Sequence, residues 1–384
     1  MKKLFYLGVI GLILFEFLNV YFIMPLPGSQ RIRSIDLAYF LYTWRWVFRG
    51  CFVLLLLIGV QKAFKASKWF TLGGLVLVFG AIYAFNFQMA ADTMFYQPQS
   101  LQMKPAKANK IEKDRIVIGI ELNGQARAYP ILLIGYHHQV LDTLAGKKIM
   151  VTYCTVCRTG RIYEPIVGGK PEKFRLVGMD HFNAMFEDET TKSWWRQANG
   201  EAIIGKLKGQ TLPELFSEQT SLEKWLALHP NSLIMQPDEH FKEKYDSTAK
   251  YEKGKSRSDL TRTDSLSWKE KSWVVGIAIG RDSKAFDWLR LKRERVINEQ
   301  VGAKAIALVL AADDKSFFAF ERPSKDVKFQ LKNDTLIINN RNVELQRFTI
   351  NGKAVDGSES LTKVKAYQEF WHSWQTFHPT TQKY

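Results

Sequence analysis

Cys154 and Cys157 are separated by two residues in Thr152-Tyr-Cys-Thr-Val-Cys-Arg-Thr-Gly160, at the end of an apolar run. Two thiols at this spacing can close a disulfide, cycle between dithiol and disulfide, or share a soft metal ion such as copper or zinc. Each use asks for a different neighbour. A metal site needs more ligands than two, and His137 and His138 are imidazoles close by in sequence. A redox pair needs access and positive charge, which Arg158 can supply. A structural disulfide needs only the turn, although so short a loop gains little chain-entropy stability. Thioredoxin-like pairs open a helix. Here Thr159-Gly160 and Ile162-Tyr163 read instead as a turn into a strand.

Asp188, Ser193, Trp195 and Gln197 form a second set. They can floor a polar ligand pocket, with carboxylate and amide hydrogen bonds beside an aromatic face. They can equally be a turn capped by Asp and Thr over a buried Trp. A hydrolase built on Asp188 and a histidine is a third class of activity. No nucleophile elbow, P-loop or dinucleotide fingerprint accompanies these residues. His181 and His229 are further imidazoles, for which a hydrogen-bonded structural role is the plain expectation. Cys51, the third cysteine, lies in an apolar segment and is expected to be buried.

The elements that must carry these residues differ along the chain. Leu4 to Met24 is apolar except for Glu16, and is preceded by Lys2 and Lys3. No small-x-small cleavage site follows, so the run reads as a retained span and not a signal peptide. Trp46 to Val60 and Trp69 to Met89 give two more spans, with Trp and Tyr at their ends. The Lys group at 2–3 and 62–68 outweighs Arg31, Arg33 and Arg45. It predicts a multi-pass protein of the cytoplasmic membrane with the later residues on the extracytoplasmic side. The formal net charge of +16 fits a face near anionic headgroups. No nucleic-acid motif accompanies it, so the lipid bilayer is the expected partner and nucleic acid is not.

Beyond residue 100 the pattern is that of strands. Ile116–Leu122, the Asn123-Gly124 turn and Arg127-Ala-Tyr129 read as a hairpin. The same grammar returns. Val275-Gly-Ile-Ala-Ile279 repeats Ile118-Gly-Ile-Glu-Leu122, Lys284-Ala-Phe286 repeats Arg127-Ala-Tyr129, and Trp374 with His378-Pro379 repeats Trp225 with His229-Pro230. An ordered series at a near-constant offset indicates two copies of one unit. The fold class is a β-rich α+β protein: a tandem duplicated β-rich soluble module preceded by three transmembrane helices. The divisions are a membrane domain at 1–95, a first repeat with the C-x-x-C at 100–237, a polar connector at 238–270 and a second, cysteine-free repeat at 271–384. Short helices are expected at Ser221 to Leu228 and Lys365 to Phe377, and the connector is expected to be a surface loop. Because the pair occurs in one copy only, copy two reads as a structural partner.

The ordered motifs Arg127-Ala-Tyr-Pro130, Tyr136-His137, Val151-Thr-Tyr-Cys-x-x-Cys-Arg-Thr-Gly160, Phe182-Asn183 and Asp188…Ser193-Trp-Trp-Arg-Gln197 carry a resemblance. Gly200-x-Ala202-x-x-Gly205 and Trp225-x-x-x-His229-Pro230 extend it. Over roughly residues 110–384 the chain resembles the bacterial family called domain of unknown function 3179. The resemblance implies export, since members are usually secreted or membrane-anchored, and implies no activity. The chain departs from it by its three spans, by His138 where an acid is more usual, and by lacking a clear Asp…Ser-x-Trp-x-Gln segment in copy two. The expectation is a membrane-anchored extracytoplasmic module handling thiols or a soft metal at Cys154 and Cys157. The rival is a non-catalytic binding module with a structural disulfide.

Overall fold

The computed structural model describes residues 1–340 and 343–384, with side chains described outside 339–345. The chain forms two compact units, Met1–Tyr96 with Glu172–Thr211, and Gln97–Pro171 with Leu212–Tyr384.

The first unit contains three helices long and apolar enough to cross a membrane, Lys2–Tyr21, Arg45–Ala66 and Lys68–Gln88. A helix closes its backbone hydrogen bonds internally, so its apolar side chains can face outward without cost in lipid. Leu54, Leu57, Trp69 and Val76 are exposed on these helices. Cys51 is exposed as well, against the expectation of burial, because the Arg45–Ala66 helix turns only a narrow face to its neighbours. The helices meet through Phe5, Val9, Leu12, Leu56, Ala63 and Val78. Gly59 permits the contact: a Cβ there would lie 2.3 Å from the Phe5 backbone nitrogen. The third span is α-helical over Lys68–Tyr83 and ends in a π-helical turn, Ala84–Gln88. A separate helix, Ile35–Thr43, precedes the second span. A four-stranded antiparallel sheet completes this unit: Phe174–Asp180, Asn183–Asp188, Trp194–Arg196 and Ala202–Ile204.

The second unit is built of hairpins. Ile116–Leu122 pairs with Gln125–Pro130 across the Asn123-Gly124 turn, both residues of which have positive φ. Glu218–Ser221 pairs on the other side, and Leu233–Met235 joins parallel to Gln125–Pro130. The helix Ile131–His137 leads to Gln139–Leu144, then Lys147–Cys154, then Thr159–Tyr163, all antiparallel. Further along, Trp273–Ile279 pairs with Asp282–Asp287, with Tyr367–Phe370 on one side and Gln382–Lys383 parallel on the other. The helix Trp288–Glu294 leads to Val296–Val301, Lys304–Leu310 and Phe317–Glu321. Val275, Ile277, Phe286, Leu291, Leu308 and Phe317 are part of the core of this second half.

Two expectations change. The helix at the C-terminus starts at Trp371, and Tyr367–Phe370 is a strand, because Trp273–Phe370 pairing claims those residues. The connector carries the helix Lys242–Glu252, not only loop. Tyr245, Thr248, Tyr251 and Glu252 recur on one face and are buried, so a polar segment with few apolar residues still had enough to pack a stripe.

Candidate functional site

Strand pairing places the cysteines. Lys147–Cys154 is buried from Ile149 onward and pairs with Thr159–Tyr163, ending at Cys154 opposite Thr159. The residues between form a tight turn whose last member, Arg158, has φ 57°. Cys154 and Cys157 both lie buried in this turn and are not joined as a disulfide. Cys157 hydrogen-bonds with Cys154 and with Ser373. Burial pushes the Cys157 thiol well above its usual range, and the Cys154 contact pushes the same way; Ser373 and the charge of Lys271 pull it down.

Most of the surroundings come from far along the chain. The backbone N–H of Phe370 donates to the Cys157 carbonyl at 2.9 Å. The Lys271 ammonium donates to the carbonyl of Val156, between the two cysteines, at 2.8 Å, and meets His372 Nε2 at 3.1 Å. His372 Nε2 also lies 3.1 Å from the same carbonyl. Burial lowers the Lys271 pKa, while the neighbouring thiols and Glu270 oppose that shift. Burial, then the Lys271 charge, holds His372 down to about 3, so its ring is neutral at ordinary pH. Beside them Glu369 binds both Arg161, Nη2 to Oε1 at 2.6 Å, and the Ser373 hydroxyl at 2.8 Å.

Arg158 does not serve as expected. Its guanidinium lies 3.6 Å over the Trp273 ring, donates from Nε to Gln368 at 2.9 Å and from Nη2 to the Glu252 carbonyl at 3.2 Å. The cation that lowers the Cys157 thiol is Lys271. The geometry expected of an accessible pair beside Arg158 is therefore corrected to a buried pair beside Lys271.

The two histidines considered as metal ligands are engaged elsewhere. His137 Nε2 is 2.8 Å from the Tyr245 hydroxyl, on the connector helix, and His138 Nδ1 is 3.0 Å from the Tyr136 carbonyl. His181 pairs with Asp180 at 2.7 Å, and His229 packs tilted by 34° on Trp225 with ring centroids 4.1 Å apart. Among the described residues no group of three His, Cys, Asp or Glu side chains is placed to hold a metal ion. Copper or zinc at the cysteines thus lacks an assembled third ligand there.

The second candidate set is a turn. Asp188 accepts from the Thr191 hydroxyl at 2.7 Å, the Ser193 N–H at 3.1 Å and Trp195 Nε1 at 2.9 Å. Ser193 Oγ accepts from the Leu207 N–H at 3.1 Å, and Gln197 accepts from Asn183 at 3.0 Å. All four side chains are buried. The carboxylate is spent on holding the turn, as a capped turn over a buried Trp requires.

Lys271, Glu369, His372 and Ser373 were not singled out by sequence. A lysine at the start of the second repeat and a Glu-Phe-Trp-His-Ser run carry no local signal, since what makes them a site is long-range pairing. Comparison with curated proteins and with solved structures returns no match. The family model described as protein of unknown function (DUF3179) matches residues 97–381, most of the chain, and the chain belongs to that family.

Proposed function

We propose that this chain is a membrane-anchored module whose working centre is the Cys154–Cys157 dithiol, reversibly oxidised to a disulfide on the extracytoplasmic side. The observation that carries the reading is the buried Lys271 ammonium on the carbonyl between the two cysteines. Burying an ammonium is costly, and a structural thiol pair has no need of one. A nearby cation earns its place where negative charge develops on sulfur. The reaction is balanced simply. Cys154 and Cys157 give up two protons and two electrons as the S–S bond forms. A partner disulfide takes both and leaves as two thiols. Burial keeps the Cys157 thiol protonated and slow at rest, so the turn must open for exchange.

The anchoring part of the reading rests on the three apolar helices and on the Lys excess at 2–3 and 62–68. The duplication part rests on matched detail. Each half runs hairpin, seven-residue helix, then antiparallel strands, and each helix is closed by a residue in the left-handed region, His138 at φ 61° and Arg295 at φ 62°. A Cβ on Gly119 would meet Trp225 at 2.3 Å, and one on Gly276 would meet Trp374 at 2.1 Å. On this reading copy two supplies Lys271, Glu369, His372 and Ser373 to the thiols of copy one, and is a partner in the chemistry.

The test is a redox titration of the purified full chain against a thiol–disulfide buffer, read by mass after alkylation. Cys154 and Cys157 should change together as a two-electron pair. Lys271→Met should slow oxidation of the pair by the buffer several-fold, since removing the cation destabilises the thiolate that must form for exchange. A pair that stays reduced throughout, or an oxidation rate unmoved by Lys271→Met, would sink the reading.

A further inference from the structure

The first unit holds a polar cluster among its apolar helices. The Glu16 carboxylate is buried and takes two parallel bonds from Arg49, Nε to Oε1 at 2.7 Å and Nη2 to Oε2 at 2.8 Å. Asn86, in the π-helical turn, closes the set: it accepts from Arg49 Nη2 at 2.7 Å and donates to Glu16 Oε2 at 2.8 Å. A π-turn inside a helix is rare and tends to mark a functional position. Ionisable groups within a span carry the same implication.

Beside this cluster is a cavity of about 100 Å³. Its lining combines polar residues, Asn19, Arg45 and Arg49 among them, with apolar ones such as Ile23, Phe85 and Met89. Most of the lining residues sit at or just beyond the end of the first span, the start of the second and the end of the third, and Arg175 and Val177 of the sheet complete it. That is the depth at which a bilayer passes from hydrocarbon to headgroups. A cavity of about 150 Å³ takes benzene with its six heavy atoms, so this one encloses roughly four, part of a lipid headgroup and not the whole.

Two atoms in it ask for a ligand. Asn19 is more than nine-tenths buried, and its Oδ1 has no hydrogen-bond partner. A buried acceptor left unmade is expensive, so it calls for a donor. Arg45 donates to the Tyr42 carbonyl at 2.6 Å, yet among the described residues no carboxylate pairs with it. Guanidinium suits phosphate. The surrounding charges cancel: Arg45, Arg49 and Arg175 stand against Glu16, Asp92 and Glu187. A neutral setting with one cation and one acceptor to spare matches a zwitterion better than an anion.

We propose that this cavity binds the headgroup of an aminophospholipid, with the phosphate on Arg45 and the primary ammonium on Asn19 Oδ1. The acyl chains then continue along Ile23, Phe85 and Met89. The proposal rests on the anchoring part of the reading above, and is independent of the dithiol.

The experiment uses the full chain. Resistance to alkaline carbonate extraction first checks anchoring by itself; a chain released there fails the anchoring reading and this proposal with it. For a retained chain, the detergent-purified protein is titrated with phosphatidylethanolamine, phosphatidylcholine, phosphatidylglycerol and water-soluble glycerophosphoethanolamine, read by native mass spectrometry and thermal unfolding. One phosphatidylethanolamine per chain should bind and raise the unfolding temperature. Phosphatidylcholine, whose quaternary ammonium has no N–H, should bind roughly tenfold more weakly, the effect of one lost hydrogen bond. Asn19→Leu should erase that preference while leaving Glu16, Arg49 and Asn86 joined. Equal binding of all three lipids, stronger binding of phosphatidylglycerol, an unchanged preference in Asn19→Leu, or full stabilisation by the soluble headgroup would each overturn it.

Discussion

His138 ends the helix Ile131–His137 with a left-handed backbone, φ 61°, and a buried ring. Burial, reinforced by the neighbouring His137, lowers its pKa from 6.5 to about 4, against the Tyr136 carbonyl bond. The folded value lies below the unfolded one, so unfolding favours proton uptake. The contribution is therefore complete above about pH 6.5 and is lost as pH falls toward 4, at roughly 1.4 kcal/mol per unit of difference. His138→Asn tolerates the left-handed turn and removes the titrating ring. Its unfolding temperature should fall less between pH 7 and pH 4.5 than that of the parent; an identical loss would show that His138 does not govern acid sensitivity. At this scale the sequence disclosed the thiols and little of what surrounds them. Cys154 and Cys157 announce themselves by type and spacing. Lys271 lies 115 residues from the carbonyl it binds, and His372 lies 216 residues from it. No local pattern encodes a contact of that separation.

Elements were more legible where their signals are local. Asn123-Gly124 after the β-branched run Ile116–Leu122 fixed the first hairpin, and Ser221 does cap the helix Leu222–Leu228 by accepting from the Lys224 N–H at 3.1 Å. The helix Lys242–Glu252 was missed because its buried stripe is made of Tyr, Thr and Glu in a strongly polar background. Tyr367–Phe370 was read as helix because edge pairing, here to Trp273–Gly276, is invisible in a window of that length. Packing of helix on sheet gives the sharpest element-scale prediction. Gly276 lets the Trp374 ring lie flat on its strand, and Trp374 in turn stacks on His378 with centroids 3.9 Å apart. Gly276→Ala should cost about 1–3 kcal/mol through overpacking, and Gly119→Ala should cost a similar amount against Trp225. Chemical denaturation of each variant measures this. Parent-like stability in Gly276→Ala would mean the indole has room to move.

For the whole molecule, we propose from the Lys excess at 2–3 and 62–68 that the residues after 95 lie on the extracytoplasmic side. A reporter fused after Ser100 that works only outside the cytoplasm is the expected result, and activity only inside would reverse the orientation. The order of synthesis adds a further consequence. The turn holding the thiols is made well before Phe370, which bonds the Cys157 carbonyl, and before His372 and Ser373; His372 follows Val156 by 216 residues. At about 5–20 residues per second, some ten to forty seconds separate the two. Throughout that interval the nascent thiols lack the part of their cover that the C-terminal segment provides. The pair is thus open to the surrounding redox buffer before it is enclosed, and its state on enclosure is a record of the compartment in which the chain was made.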